Sequence, residues 1–155
     1  MSLESVRAFF AEKAPDIAVI EAPTSSATVA LAAEAFGVAP DRIAKTLSLR
    51  VGDRVVLIVA SGLSRMDNKK VKAMLGGKPK MLDLAEVAAI TGHEVGGVCP
   101  FGLTTPLQVY CDVSLKAHDE VVPAAGSTHS AVRIAPMRMA ELVGAQWVDV
   151  CQAPA

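Results

Sequence analysis

The sequence predicts an α+β fold: a single compact domain with one mixed sheet and helices around it. Three observations carry this. Helical and strand-like stretches are interspersed without the steady strand–helix–strand rhythm of a doubly wound sheet. The 155 residues suit one domain, spanning 1–155, with a substantial core. Hydrophobic residues make up 52% of the chain and aromatics only 4%, so that core has to be built from Val, Leu, Ile and Ala. A charged fraction of 20% argues against disorder.

In chain order, Ser2 to Ala14 reads as a first helix, with Leu3, Val6, Phe9 and Phe10 on one side and Pro15 stopping it. Thr24, Ser25 and Ser26 offer N-caps for an alanine-rich helix that runs to Phe36, with Gly37 as its C-cap. Ile43 to Val51 alternates as a strand and Val55 to Ala60 is a run of β-branched and apolar residues. Gly52-Asp53 between them suits a tight hairpin turn. Asn68 to Leu75 is a short helix ended by Gly76-Gly77; Asp83 caps another that runs to Thr91 and closes at Gly92. Strand-like pieces follow at Glu94–Val98, Leu107–Val113, Glu120–Val122 and Ser130–Ala135. Met137 to Val143 is helical, and Trp147 to Cys151 is a last strand.

Composition excludes several classes. No apolar run approaches the ~20 residues of a membrane helix, and the opening MSLESVRAFFAEK lacks a signal peptide's unbroken apolar stretch. A cytoplasmic protein is expected. The three cysteines, Cys99, Cys111 and Cys151, show no CxxC or Cys/His spacing, which disfavours both a disulfide framework and a zinc site. A net charge of −1 gives no reason to expect nucleic acid. Its distribution says more: RMDNKKVKAMLGGKPK sets Arg65, Lys69, Lys70, Lys72, Lys78 and Lys80 against Asp67 alone. That stripe is either a local phosphate contact or a solvated helix face, and from charge alone the solvated face is the better reading.

Lys45 is the most informative single residue. Alternation in IAKTLSLRV places Ile43, Lys45, Leu47, Leu49 and Val51 on one face, and Ala44, Thr46, Ser48 and Arg50 on the other. An unpaired ammonium in phase with an apolar face is costly to bury. Either the side chain snorkels to water, or the face opens into a pocket where the cation meets an anionic ligand. His129, with Ser127 and Thr128, is either a merely exposed loop or part of a polar pocket. His93 and His118 read as surface residues. No metal site, nucleophile elbow, phosphate loop or dinucleotide fingerprint is present. In GGVCPFGL, Cys99 has no neighbouring cation to stabilise a thiolate, so a small apolar filler is the better reading than a nucleophile. The glycines of that loop permit close backbone approach to a ligand, or simply a turn.

Taken together these stretches resemble the YbaK/prolyl-tRNA editing domain family, the aminoacyl-tRNA synthetase-associated domains. The resemblance runs through Thr24–Ser26 ahead of the alanine-rich helix, IAKTLSLRV, RMDNKKVKAMLG, TGHEVGGVCPFGL and the glycine-bearing loop before SAVRIAP. It implies a compact mixed-sheet domain of the YbaK type that hydrolyses the ester of a small, wrongly attached amino acid on a tRNA, commonly tRNA for proline. It implies a free-standing trans-editing deacylase with mischarged tRNA as substrate, prolyl-tRNA synthetase as a partner, and no cofactor.

By resemblance Lys45 is the functional lysine, and Gly97 is expected beside it at the reacting ester. Val98, Cys99, Pro100, Phe101 and Gly102 continue the substrate-pocket loop. Thr24, Ser25, Thr46, Ser127, Thr128 and His129 are expected to bind substrate, and Arg65, Lys69, Lys70 and Lys72 to bind tRNA. The chain departs from the alanine-specific branch, where asparagine commonly follows the lysine and Thr46 stands here. Ser127–His129 do not match the Gly-Lys-Arg-type stretch of the cysteine-specific branch either. The loop is then expected to shape the amino-acid pocket and aim N–H groups at the ester carbonyl, with no protein nucleophile. Two rivals remain: a non-catalytic module that binds tRNA ends or nucleotides, and a thiol enzyme using Cys99.

Overall fold

The computed structural model describes residues 2–152. It is a mixed α+β fold with five α-helices: α1 (Ser2–Lys13), α2 (Val29–Phe36), α3 (Asn68–Leu75), α4 (Leu84–Thr91) and α5 (Pro136–Val143). The main sheet is built on an antiparallel hairpin of β2 (Ile43–Val51) and β3 (Arg54–Ser61). β5 (Gln108–Asp112) joins β3 in parallel, and β8 (Gln146–Val148) joins β5 in parallel. On the far side of β2 lie two short pieces, β4 (Pro79–Met81, antiparallel) and β6 (Val122–Pro123, parallel). A separate ribbon pairs β1 (Ile20–Glu21) with β7 (Ser130–Ala131). Among the described residues no helix is long and apolar enough to cross a membrane.

Register sorts the sheet's side chains, because residues directly opposite one another share a face. Thr46 opposes Val59 and Ser48 opposes Leu57; on the other face Lys45 opposes Ala60, Leu47 opposes Ile58 and Leu49 opposes Val56. The first face carries Leu57, Val59, Val109 and Cys111 into the largest core cluster, where Val6 and Phe10 of α1 and Met139 of α5 meet them. The second packs Leu49, Val56 and Ile58 against Val71 and Leu75 of α3. A third cluster joins Ala32, Ala33 and Phe36 of α2 to Ile43, Val122 and Ala131.

Several elements differ from the sequence reading. Glu94–Val98 is not a strand: the Gly97 N–H turns back to the Glu94 carbonyl at 2.9 Å, and Gly96 takes φ +91°, a left-handed backbone that breaks a ladder. The cap of α2 is Thr28, whose hydroxyl accepts from the Leu31 N–H at 3.2 Å. Ser26 is committed elsewhere, since its N–H and its hydroxyl both donate to the Thr128 carbonyl, at 2.6 and 3.0 Å. The strand expected over Ser130–Ala135 is cut to Ser130–Ala131, followed by an isolated bridge from Ile134 to Val121. That expected over Trp147–Cys151 is Gln146–Val148, with Cys151 bridging Met66 alone.

Candidate functional site

The site begins with a gap in the sheet. On its outer edge β2 is paired with β6 at Ile43–Ala44 and with β4 at Leu49–Val51. Between them, residues 45–48 have no strand partner on that side. The chain after β4 closes the end of the gap, where Leu82 N–H donates to the Ser48 carbonyl at 3.2 Å. A cavity of about 280 Å³ opens here. Its floor is Ala44, Lys45, Thr46 and Ser48, and one wall is Thr28, Val29, Ala32 and Phe36 of α2. Gly96 and Val98 form part of a second wall, Ala124 and Ser130 part of a third. Apolar atoms dominate the lining, and it contains no cysteine, histidine, aspartate or glutamate.

Lys45 is half-buried on the apolar face that the alternation assigned to it. Its ammonium is held by two backbone carbonyls of the turn after β3: Gly62 at 3.2 Å, and Ser64. Burial pushes its pKa below the ordinary lysine value. Arg65 follows that turn directly, so the basic segment starts beside the Lys45 ammonium.

The loop at 96–102 divides in two. Gly96 and Val98 face the cavity. Cys99 and Phe101, fully buried, enter the main core with α1 instead, and the Phe101 ring packs tilted against Phe10 with 4.7 Å between ring centroids. Burial drives the Cys99 thiol up to about 12, so it is neutral at pH 7. Pro100 is buried too, and Gly102 lies against the backbone of Ser5; neither lines the cavity. Gly97 also lies behind the lining, because a Cβ there would sit 2.5 Å from the Ser127 N. Its N–H is committed to Glu94, and its carbonyl accepts from the Gly126 N–H at 2.9 Å. The donor role expected of Gly97 is therefore taken up by structure. Val98 is different: its N–H has no acceptor among the described residues.

The remaining expected residues are distributed around this frame. Thr24 is exposed, and Ser25 accepts from the Ala27 N–H at 3.2 Å; Ser26, their buried neighbour, reaches the cavity instead. Thr46 lines it, and its hydroxyl oxygen is buried without a partner among the described residues. Ser127 hydrogen-bonds Ser130 at 2.6 Å, while Thr128 takes Glu94 Oε1 on its N–H at 2.7 Å and Ser26 on its carbonyl. His129 is exposed, its Nδ1 2.9 Å from the Thr128 hydroxyl. These three brace the wall, and Ser130 lines it. On α3, Lys69 and Lys72 are exposed, as is Arg65 ahead of the helix. Lys70 reaches Asp149 at 3.1 Å and the Cys151 carbonyl at 2.8 Å. His93 and His118 are corrections to the sequence reading: His93 is 1% exposed, and His118 is largely covered, 3.6 Å from Asp41.

Ser26, Ser48 and Ser130 are cavity residues that the sequence reading missed. Ser48 had a signal, a small hydroxyl in phase with Thr46 inside an otherwise apolar strand. Ser26 and Ser130 lie in stretches that carry the resemblance, but no spacing marked them, since only the folding of distant loops brings them to the gap.

Comparison with known proteins gives the family. The chain is 50% identical over 154 residues to the uncharacterised protein YwhH of Bacillus subtilis, covering 98% of each. It is 29% identical over 121 residues to EbsC of Enterococcus faecalis, a candidate Cys-tRNA(Pro)/Cys-tRNA(Cys) deacylase, covering 76% of this chain and 73% of that protein. A solved candidate trans-editing enzyme for prolyl-tRNA synthetase superposes with a TM-score of 0.90 at 31% identity, over 98% of both chains. The model of the aminoacyl-tRNA editing domain matches residues 24–142. The chain belongs to the aminoacyl-tRNA editing domain family.

Proposed function

We propose that this protein is a free-standing deacylase that hydrolyses the ester of a small, wrongly attached amino acid on tRNA, with tRNA for proline as the preferred carrier. The observation that carries the reading is the cavity at the β2 gap. Lys45 stands in its floor, Gly96 and Val98 in its wall, and its lining holds no cysteine, histidine, aspartate or glutamate. An aminoacyl ester is activated already, so positioned water is sufficient. Water adds to the acyl carbon, the bond to the ribose oxygen breaks, and that oxygen leaves with a proton. The Val98 N–H, carried by a cavity residue and without an acceptor among the described residues, supports a role as donor to the carbonyl oxygen as negative charge develops there.

The walls support a choice of amino acid as well. Lining that is mostly apolar, with one cation and no carboxylate, disfavours basic side chains, whose charge would be buried unpaired. Ser26, Ser48 and Ser130, all under 7% exposed, supply hydroxyls for an α-amino group or a small polar side chain. Lys45 is set to meet the anionic tRNA terminus once it leaves the Gly62 and Ser64 carbonyls, and Arg65, Lys69 and Lys72 extend the positive surface from there. A substrate of this kind supports a cytoplasmic location, with prolyl-tRNA synthetase as a partner.

The thiol reading loses support from the depth of Cys99 and its raised pKa. A deacylation assay over a panel of mischarged tRNAs tests the proposal. Release of a small amino acid from tRNA for proline is expected; a folded protein that binds these tRNAs and hydrolyses none would be an end-binding module instead.

A further inference from the structure

His93 is the one fully buried ionisable ring of the described chain, and nothing in the hydrolytic reading uses it. It is fixed from three directions. Its N–H donates to the Thr91 hydroxyl at 3.1 Å, and that hydroxyl donates to the Val87 carbonyl at 2.7 Å, which ties the residue to the last turn of α4. Its ring Nε2 lies 2.7 Å from the Phe101 carbonyl. The Cys99 thiol sits beside that bond, 3.6 Å from Nε2 and 3.7 Å from the same carbonyl.

A carbonyl oxygen only accepts, so Nε2 must carry the proton. The ring is then the neutral Nε2–H tautomer, and Nδ1 bears a lone pair. That atom is buried with no partner among the described residues. It faces Gly126, where a Cβ would come within 3.1 Å of it. Gly126 in turn donates its N–H to the Gly97 carbonyl. The ring therefore stands between the two loops that wall the cavity: the one that presents Gly96 and Val98, and the one that leads from Ala124 to Ser130. Burial disfavours the imidazolium, which agrees with a ring held neutral.

We infer that His93 is a positioning residue for deacylation: its Nε2–H holds the Phe101 carbonyl, and through it sets where Val98 stands at the cavity. The kinetic part of this inference rests on the deacylase reading; the tautomer and the loop geometry do not. Displacing a positioned group by about 1 Å can cost on the order of 10²-fold in rate. The side-chain amide of glutamine reaches about as far as Nε2 and keeps a donor there, whereas leucine fills similar volume without one.

Long-range ¹H–¹⁵N spectra of the wild-type protein should show a protonated Nε2 and a bare Nδ1 at His93; a proton on Nδ1 would overturn the inference. His93→Leu should lower kcat on the mischarged tRNA about 10-fold or more, with a smaller change in KM, and move the Gly96–Gly102 amide resonances. His93→Gln should restore kcat to within about threefold at a comparable thermal midpoint. Equal losses of kcat in the two variants, or a folded His93→Leu at full rate with unmoved loop resonances, would reduce His93 to a packing residue. Should the wild type hydrolyse no mischarged tRNA, the deacylase reading falls alone. The wild-type tautomer and the loop resonances of His93→Leu against His93→Gln then decide whether the ring positions the loop.

Discussion

The loop at 96–102 and helix α3 both border the Lys45 region, and they are fastened to the molecule in different ways. The loop is anchored on both sides of Val98. Cys99 and Phe101 sink into the main core, Gly97 lies on the Ser127 backbone, and the Phe101 carbonyl takes a buried histidine. Helix α3 touches the sheet through Val71 and Leu75 and leaves Lys69 and Lys72 to solvent. A change in the loop is thus passed to the cavity wall through the packed interior, which has no slack to absorb it. A change on the exposed face of α3 alters charge and little else. Lys45 joins the two regions: it lies in the cavity floor, and its ammonium holds the turn that leads to Arg65 and α3.

The largest effect is expected where the regions meet. Lys45→Ala should lower kcat/KM for deacylation by on the order of 10²-fold, because a tRNA terminus no longer held by the cation is misplaced against the cavity. Two carbonyls lose a partner, but the turn they belong to can take water, so the thermal midpoint should fall only slightly. Full activity in folded Lys45→Ala would separate the cavity from the chemistry. The wild-type rate, corrected for spontaneous hydrolysis, should also decline on the alkaline side. Burial lowers the lysine's pKa, so the charged form is lost earlier than in an exposed lysine as pH rises.

Next comes Gly97→Ala. The added carbon meets backbone 2.5–2.7 Å away in Ser127, which cannot rotate out of its path. Overpacking of this kind costs about 1–3 kcal/mol, and the displaced wall should lower activity with it. Denaturant midpoint and deacylation measured together check this. Loss of stability with an unaltered rate would mean that the Ser127 side of the cavity takes no part in catalysis.

A smaller effect is expected on α3. Replacing Lys69, Lys70 and Lys72 together by glutamine should weaken tRNA binding and flatten its salt dependence, while leaving the ranking of amino acids as it was. Phosphate contacts orient a nucleic acid without reading the group attached to it. The Lys70–Asp149 pair is largely exposed, and its loss should cost under ~1 kcal/mol of stability. An unchanged salt slope would make α3 a solvated face.

The smallest change in rate belongs to Cys99→Ala. With its thiol neutral and outside the cavity lining, Cys99 should lose little deacylation on truncation, and alkylating reagents should leave the native enzyme active. Cys99→Leu should instead destabilise, because the side chain is fully buried among core residues and not beside the substrate. An acyl-thioester trapped at Cys99 would reverse this account.

What was legible in the sequence was local. The β2–β3 hairpin follows from two runs around Gly52-Asp53, and α4 from Asp83, whose reciprocal bonds with Glu86 form a capping box. Period-two alternation placed Lys45 on the apolar face because β2 is nine residues long, enough for the pattern to show. The resemblance of whole stretches named the family. What the tertiary structure alone decided was non-local. The cavity exists because β6 and β4, two and three residues long, cover the ends of β2 and leave its middle unpaired. Segments that short carry no periodic signal, and their pairing depends on partners far along the chain. For the same reason a histidine that reads as a surface residue is buried, and a loop that reads as a pocket has half its side chains in the core. Burial is a property of what folds over a residue, and neither its type nor its neighbours in sequence record it.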